Sequence, residues 1–486
     1  MTPILRLAAL LLASPLLTGC AALNAPINAP LAGSGNAPLV EVTSADIGEG
    51  ELFVGLAFSG GGMRASAFAY GLLEELRRAG VSTADPDGLL DHVRLVSGVS
   101  GGSVTAAQFG LYGPRGLDDY REGYLLTNAE KYMANSPVNP VAIVRGISGG
   151  ANDRSTFARY LDEALYHGAT FGDLRRRSKI KTWINATDVA NNTPFLFAPE
   201  TFDALCSDLS SLPISEAVAA SAAFPLVFSP VVLKAHQGAC TYVEPDWLTA
   251  ARYNPEATAA MRAHARALES YADPAKVQYV KLLDGGITDN FGTTGLAVER
   301  ARAQAAYAPM TPEEAVKLKR MLFLVANAGV ETDYAWTLKP GGPGGAALAM
   351  SIARSSMSAA TRSGYDAMRS ELRRWHEDLV EWRCALAPAE VRRLRGVAPD
   401  WDCADVKLFV GEVSFEGVDP AMRDELNTVP TRLRLKPDQV DLVIEAGRIA
   451  TRASPEFNGF LRTLDSASLE ERVAAGGGRR ILPIGE

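Results

Sequence analysis

Apolar positions along this chain alternate between short continuous runs and a rhythm of three to four residues. Leu52-Phe53-Val54-Gly55-Leu56-Ala57-Phe58 is apolar throughout, as expected of a strand buried on both faces. Other strand-like runs occur at Val93-Arg94-Leu95-Val96-Ser97, Thr182 to Asp188, Gln278 to Leu283 and Met321 to Ala326. Helical patterns lie between them. Ala65 to Ala79 carries Phe68, Leu72, Leu73 and Leu76 on one side; Ser103 to Phe109, the small-residue stretch Ser215 to Ala223, and Gly295 to Ala306 follow. Strand alternating with helix predicts an α/β fold on a mainly parallel sheet. A later stripe of Tyr365, Met368, Leu372, Trp375, Leu379 and Trp382 marks one face of a helix within 346–383. Packing on the core is its expected role. A position on a lipid surface, or a lid hinged on the Gly/Pro-rich run Lys339 to Gly345, is the alternative.

The N-terminus changes the picture. Arg6 precedes the apolar run Leu7 to Leu17, which ends in Leu17-Thr18-Gly19-Cys20, the pattern of an export signal rather than a structural helix. These last four residues resemble the bacterial lipoprotein lipobox, which implies lipidation of Cys20; Ala21 then favours an outer-membrane destination in the cell envelope. A soluble secreted protein is the alternative. Asn24-Ala25-Pro26, Asn28-Ala29-Pro30 and Asn36-Ala37-Pro38 predict a flexible tether over 20–48, after a signal over 1–19. Beyond the leader no apolar run reaches membrane-spanning length.

Composition narrows the classes. The chain is 47% hydrophobic with a net charge of −8 and mixed signs, so it has no basic footprint for nucleic acid. Besides Cys20 there are four cysteines, Cys206, Cys240, Cys384 and Cys403, an even number that suggests disulfides in an exported protein. Proximity favours Cys206–Cys240 and Cys384–Cys403, though three pairings are possible. Without a CxxC and with five scattered histidines, no metal site is expected.

Three glycine-rich turns carry the chemistry. Gly98-Val99-Ser100-Gly101-Gly102 lies between a strand and a helix, the context of a nucleophile elbow. Glycines two residues before and after Ser100 let strand and helix pass closely, and the helix N-terminus favours developing negative charge. Ser59-Gly60-Gly61-Gly62-Met63-Arg64 also joins strand to helix and offers backbone amides to an oxyanion. It lacks the spacing of a nucleotide loop. Asp284-Gly285-Gly286 ends a strand, where open α/β sheets place reactive groups.

Taken together, Gly60 to Arg64, Gly98 to Gly102 and Asp284 to Gly286 resemble, in order, the signatures of the patatin-like phospholipases. Asn185-Ala186-Thr187-Asp188, Ala222-Ala223-Phe224-Pro225 and the closing stretch Val440 to Ile449 are also similar to segments of that family. The resemblance implies a three-layer α/β/α sandwich over 49–486, with insertions near 240–275 and 329–403. It implies Ser100 as nucleophile and Asp284 as its base, with oxyanion donors from Gly60, Gly61, Gly62 and Gly101. Arg64, Gly98, Gly102, Gly285 and Gly286 would support them, Arg64 by steadying the oxyanion loop. The chain departs from the family at Asn290-Phe291-Gly292, where a proline is common.

The implied activity is acyl hydrolysis of phospholipid or lysophospholipid esters, of phospholipase A or lysophospholipase type, with no cofactor. Two alternatives stand beside it. A Ser-His-Asp esterase would need His376, the one histidine after Asp284, which lies in the helical stripe region. A non-catalytic envelope lipoprotein binding lipid or a protein partner would have little use for a strained reactive serine.

Overall fold

The computed structural model describes residues 25–33, 35–37, 50–80, 85–133, 150–255, 257–331, 335–338, 340–342, 344–396 and 401–464. Its main sheet contains β1 (Leu52–Phe58), β2 (Val93–Val99), β3 (Lys181–Asp188), β4 (Thr193–Leu196), β5 (Val231–Lys234), β6 (Tyr279–Asp284), β7 (Arg320–Asn327) and β8 (Lys407–Ser414). The spatial order is β8-β7-β1-β2-β3-β6-β5, with β4 folded back on β3. From β8 to β3 every pairing is parallel, and β6 and β5 continue the sheet antiparallel. β1 lies near the middle with all seven residues buried, which accounts for its unbroken apolar run.

Helices cover both faces. α1 (Gly62–Arg78), α2 (Gly101–Tyr112) and α7 (Pro437–Ala453) pack on one side; α5 (Thr294–Ala303) and α6 (Gly345–Ala385) lie on the other. α3 (Ile214–Ser221) and α4 (Ala259–Ala272) flank the antiparallel end. The fold is thus an α/β/α sandwich on a mostly parallel sheet. Alternation along β3 shows the layering: a Cβ on Gly110 of α2 would meet Thr182, and one on Gly295 of α5 would meet the ring of Trp183.

The aromatic stripe belongs to the core. Met368, Leu372, Trp375 and Leu379 are buried, and Trp375 packs edge-on against Phe53 and Phe323. The N-terminal half of the same helix is less covered, with Leu348 and Ile352 exposed. Disulfides join Cys206 to Cys240 and Cys384 to Cys403.

Two expectations need correction. The segment read as a free tether is in part docked: Ala29–Pro30 pairs antiparallel with Ser207–Asp208. Asn28 bonds the Ser207 hydroxyl and the backbone N–H and C=O of Lys234, while Asn36 bonds Asp203, the Ser207 carbonyl and the Leu209 N–H. Asparagine carries the same donor and acceptor groups as a peptide unit, so a polar repeat substitutes for strand pairing. The second correction concerns location. Membrane anchoring in the envelope is withdrawn, because among the described residues no helix is both long and apolar enough to cross a membrane. The longest, α6, has 41 residues but carries charges along its length. The leader and Cys20 lie outside the described residues.

α1 and α7 cross at a point without side chains. A Cβ on Gly71 would lie 2.1 Å from the Ile444 carbonyl oxygen, and one on Gly447 would lie 2.4 Å from that of Phe68. Rigid backbone cannot yield cheaply there. Gly71→Ala is expected to lower unfolding free energy by about 1–3 kcal/mol, measured as an earlier urea midpoint. Gly80→Ala, where a Cβ meets nothing within 4 Å, serves as the near-neutral comparison.

Candidate active site

β2 runs into Ser100, which is the N-cap of α2 and is held at φ 52°, ψ −125°. This backbone region is costly for an L-residue, and the turn is braced from both ends. The Ser100 carbonyl accepts from the Ser103 amide at 3.0 Å and the Ser103 hydroxyl at 2.6 Å. Gly98 lies under Ser103 and Ala106, Gly102 lies against the carbonyls of Phe58 and Ser59, and a Cβ on Gly101 would stand 1.9 Å from the Gly62 oxygen. The nucleophile turn and the loop after β1 are therefore in backbone contact, a packing that only glycine permits.

That second loop enters α1 with Gly61 at φ 145° and Gly62 at φ 60°. Its amides do not all face the same task. Gly60 N–H donates to Asn290 Oδ1 at 3.1 Å and Met63 N–H to the Arg432 carbonyl at 2.7 Å. Of the four amides expected from sequence to receive an oxyanion, that of Gly60 is therefore taken by Asn290. Arg64 is buried; its Nε and Nη1 donate to the carbonyls of Ala328 and Val429, tying the loop to the end of β7 and to the C-terminal region. Burial, with Arg354 nearby, lowers its pKa to about 10.

Asp284 ends β6 beside this pair and is 1% exposed. Burial raises its pKa from 3.8 to about 6; hydrogen bonds from the Ser100 hydroxyl and the Gly286 amide pull it back part of the way. The Gly286 N–H lies 2.9 Å from Asp284 Oδ1. A Cβ on Gly285 would meet the Asn185 carbonyl at 2.3 Å, so β6 and β3 approach through that glycine. Asp289, five residues on, has a different role. Its carboxylate accepts from the amides of Gly292 and Thr294 and from the Thr294 hydroxyl, which fixes the turn into α5.

None of the five histidines hydrogen-bonds Ser100 or Asp284. His92 pairs with Asp85, His236 bonds the Asn28 carbonyl, His376 bonds the Val406 carbonyl, His264 is buried on α4, and His167 closes a helical turn. A Ser-His-Asp arrangement is therefore not assembled around Ser100.

Several residues around the pair were not assigned by sequence. Thr187 donates its hydroxyl to the Asp284 carbonyl at 2.8 Å, Asn185 bridges the Ser97 hydroxyl and the Gly98 carbonyl, and Ser221 contacts the Ser100 amide. Asn185 and Thr187 lie in the polar end of a strand-like run, a visible signal without an evident role. Met357 of α6 reaches over the site; its methyl would lie 2.6 Å from a Cβ on Gly286. Among the described residues no group of three or more His, Cys, Asp or Glu is placed to hold a metal ion.

The α/β/α sandwich thus presents a buried serine beside a buried carboxyl, with backbone amides around them. Through residues 56–297, just under half its length, the chain matches the family described as patatin-like phospholipase. Among solved structures it is similar to human GIVD cytosolic phospholipase A2, at 13% identity over 86% of this chain, with a TM-score of 0.39. It spans 63% of the length of that human chain. It is also similar to VipD from Legionella pneumophila, at 13% identity over 91% of this chain and 80% of that one, with a TM-score of 0.31. Likeness at these TM-scores carries no inference about substrate or mechanism. No curated protein matches the chain.

Burial of Asp284 has a stability signature. Its carboxyl titrates near 6 when folded and near 3.8 otherwise, so the folded state loses stability as pH rises through that window. Above pH 6 the cost is about 3 kcal/mol. Asp284→Asn is expected to melt higher than wild type at pH 8 and close to it at pH 3.5; equal melting temperatures at pH 8 would count against the raised pKa.

Proposed function

We propose that this protein is a lipid acyl hydrolase that cleaves carboxylic esters of phospholipids or lysophospholipids through Ser100 and Asp284. The observation that carries this reading is the juxtaposition of Ser100, strained at φ 52° at the N-cap of α2, with the buried Asp284 carboxyl, whose pKa burial raises to about 6. A carboxylate of ordinary acidity is a weak base for a hydroxyl, and raising its pKa toward working pH improves proton transfer while leaving it ionised at neutral pH. Asp284 takes the Ser100 proton as Oγ attacks the ester carbonyl. The amides of Gly61, Gly62 and Gly101 receive the oxyanion, a stabilisation of about 3–4 kcal/mol for a well-placed donor. Collapse breaks the ester C–O bond, and the departing alcohol takes the proton from Asp284. Water, deprotonated by Asp284, then hydrolyses the acyl-enzyme and restores both residues. Chain 49–486 would act as one hydrolase unit, with 240–275 and 329–403 shaping access.

The test is ester hydrolysis by the full chain on a short-chain chromogenic ester and on phospholipid vesicles. Ser100→Ala and Asp284→Asn should each lower kcat by about 10³-fold or more while remaining folded. Full activity in Asp284→Asn would remove the dyad. For the wild type, kcat/KM should rise with pH through an acid limb near 6, because the carboxyl must lose its proton to act. A limb near 4 would show that Asp284 is not the titrating base.

A further inference from the structure

We propose that Ser221 is a positioning residue for this hydrolysis, its hydroxyl fixing the backbone of Ser100 and so the aim of both Ser100 Oγ and the Gly101 amide. The inference rests on Ser100 and Asp284 being the reacting pair. As the N-cap of α2, Ser100 has no helical partner for its own N–H, which points back into the protein. Ser221 Oγ accepts that N–H at 2.9 Å and donates its own proton to the Asn185 carbonyl at 2.6 Å. A hydroxyl has one proton, and a carbonyl can only accept. The Ser221 proton is therefore committed to Asn185, leaving a lone pair directed at the nucleophile's amide.

The location of this contact gives it leverage. Val99 and Asn185 are register partners at the top of the parallel β2–β3 pair, so Ser221 closes the ladder at the residue where β2 leaves it. Ser221 is fully buried. Two residues on, the Ala223 carbonyl accepts the Asp284 amide at 2.9 Å. One short segment at the end of α3 thus holds the backbones of both reactive residues and sets their separation. Without the Ser221 acceptor, a buried N–H is left unpaired at a residue already in a strained conformation, and the turn can relax by rotating Ser100 away from positive φ. Oγ would then move off Asp284, and the Gly101 amide would swing with it.

The experiment compares Ser221→Ala, Ser221→Cys and Ser221→Thr with wild type in the full chain, with Ser215→Ala as a control for packing on the same helix. Rates on the chromogenic ester are normalised to active sites titrated with an alkyl fluorophosphonate. Ser221→Ala and Ser221→Cys should lose kcat by about 10- to 100-fold with KM little changed, the scale of a misplacement near 1 Å. Their acid limb should move upward, because Asp284 loses the Ser100 hydrogen bond that holds its pKa down. Ser221→Thr keeps the acceptor and should recover most of the rate and the wild-type limb; Ser215→Ala should change neither. Wild-type kcat and acid limb in Ser221→Ala would overturn the inference, as would Ser221→Thr being as slow as Ser221→Cys. If Ser221→Ala does not fold, the Cys and Thr pair decides. A wild-type protein that neither turns over nor reacts with the fluorophosphonate defeats the hydrolase reading itself, and this inference falls with it.

Discussion

Ser100 occupies a conformation that costs about 1–3 kcal/mol relative to ordinary backbone, and the surrounding structure is built to hold it there. The strain turns the chain sharply enough for the hydroxyl to project from the end of β2 while α2 starts at the next residue. Everything nearby answers to that turn. Glycines at 98, 101 and 102 remove the side chains that would collide with α2, with the Gly62 carbonyl and with the end of β1. Ser103 takes the Ser100 carbonyl and Ser221 takes its amide, so neither backbone group of the strained residue is left without a partner.

Burial then separates two aspartates that look alike in sequence. Asp289 accepts from the amides of Gly292 and Thr294 and from the Thr294 hydroxyl, and its work is to fix a turn. Asp284 sits in drier surroundings with one backbone amide and the Ser100 hydroxyl, too little to offset desolvation, so its proton is held to about pH 6. The same burial that makes it a better base makes the folded chain less stable when it ionises. In the proposed mechanism, function and stability are opposed at this one carboxyl.

Asn290 links the parts. Its carbonyl oxygen takes the Gly60 amide, and its amide nitrogen donates to the Thr361 hydroxyl of α6 at 2.8 Å. The loop after β6, the loop after β1 and the helix crossing over the site are therefore joined through one side chain. The same helix is core at Leu372, Trp375 and Leu379 and exposed at Leu348 and Ile352. Its apolar stripe indicated a packing face correctly and gave no sign of where along the helix the core ends.

Much of this was legible in one dimension. Unbroken apolar runs such as Leu52–Phe58 and the three glycine turns are local, because a buried parallel strand and a side-chain-free turn each constrain the residues that form them. The pattern of elements and the fold class follow from those local demands; the residues proposed to react come from the family resemblance that the three turns carry together. Other features depend on residues distant in sequence. Asn28 and Asn36 look like linker residues until Ser207, Lys234 and Asp203 arrive beside them. The Gly60 amide looks like an oxyanion donor until Asn290, 230 positions away, takes it. Ser221 reads as a small packing residue, and only the approach of β2, β3 and α3 gives its hydroxyl one donor and one acceptor. Sequence alone determined what the backbone can do locally. Tertiary structure decided which hydrogen-bonding groups are used up and which stay free, because that depends on partners hundreds of residues apart.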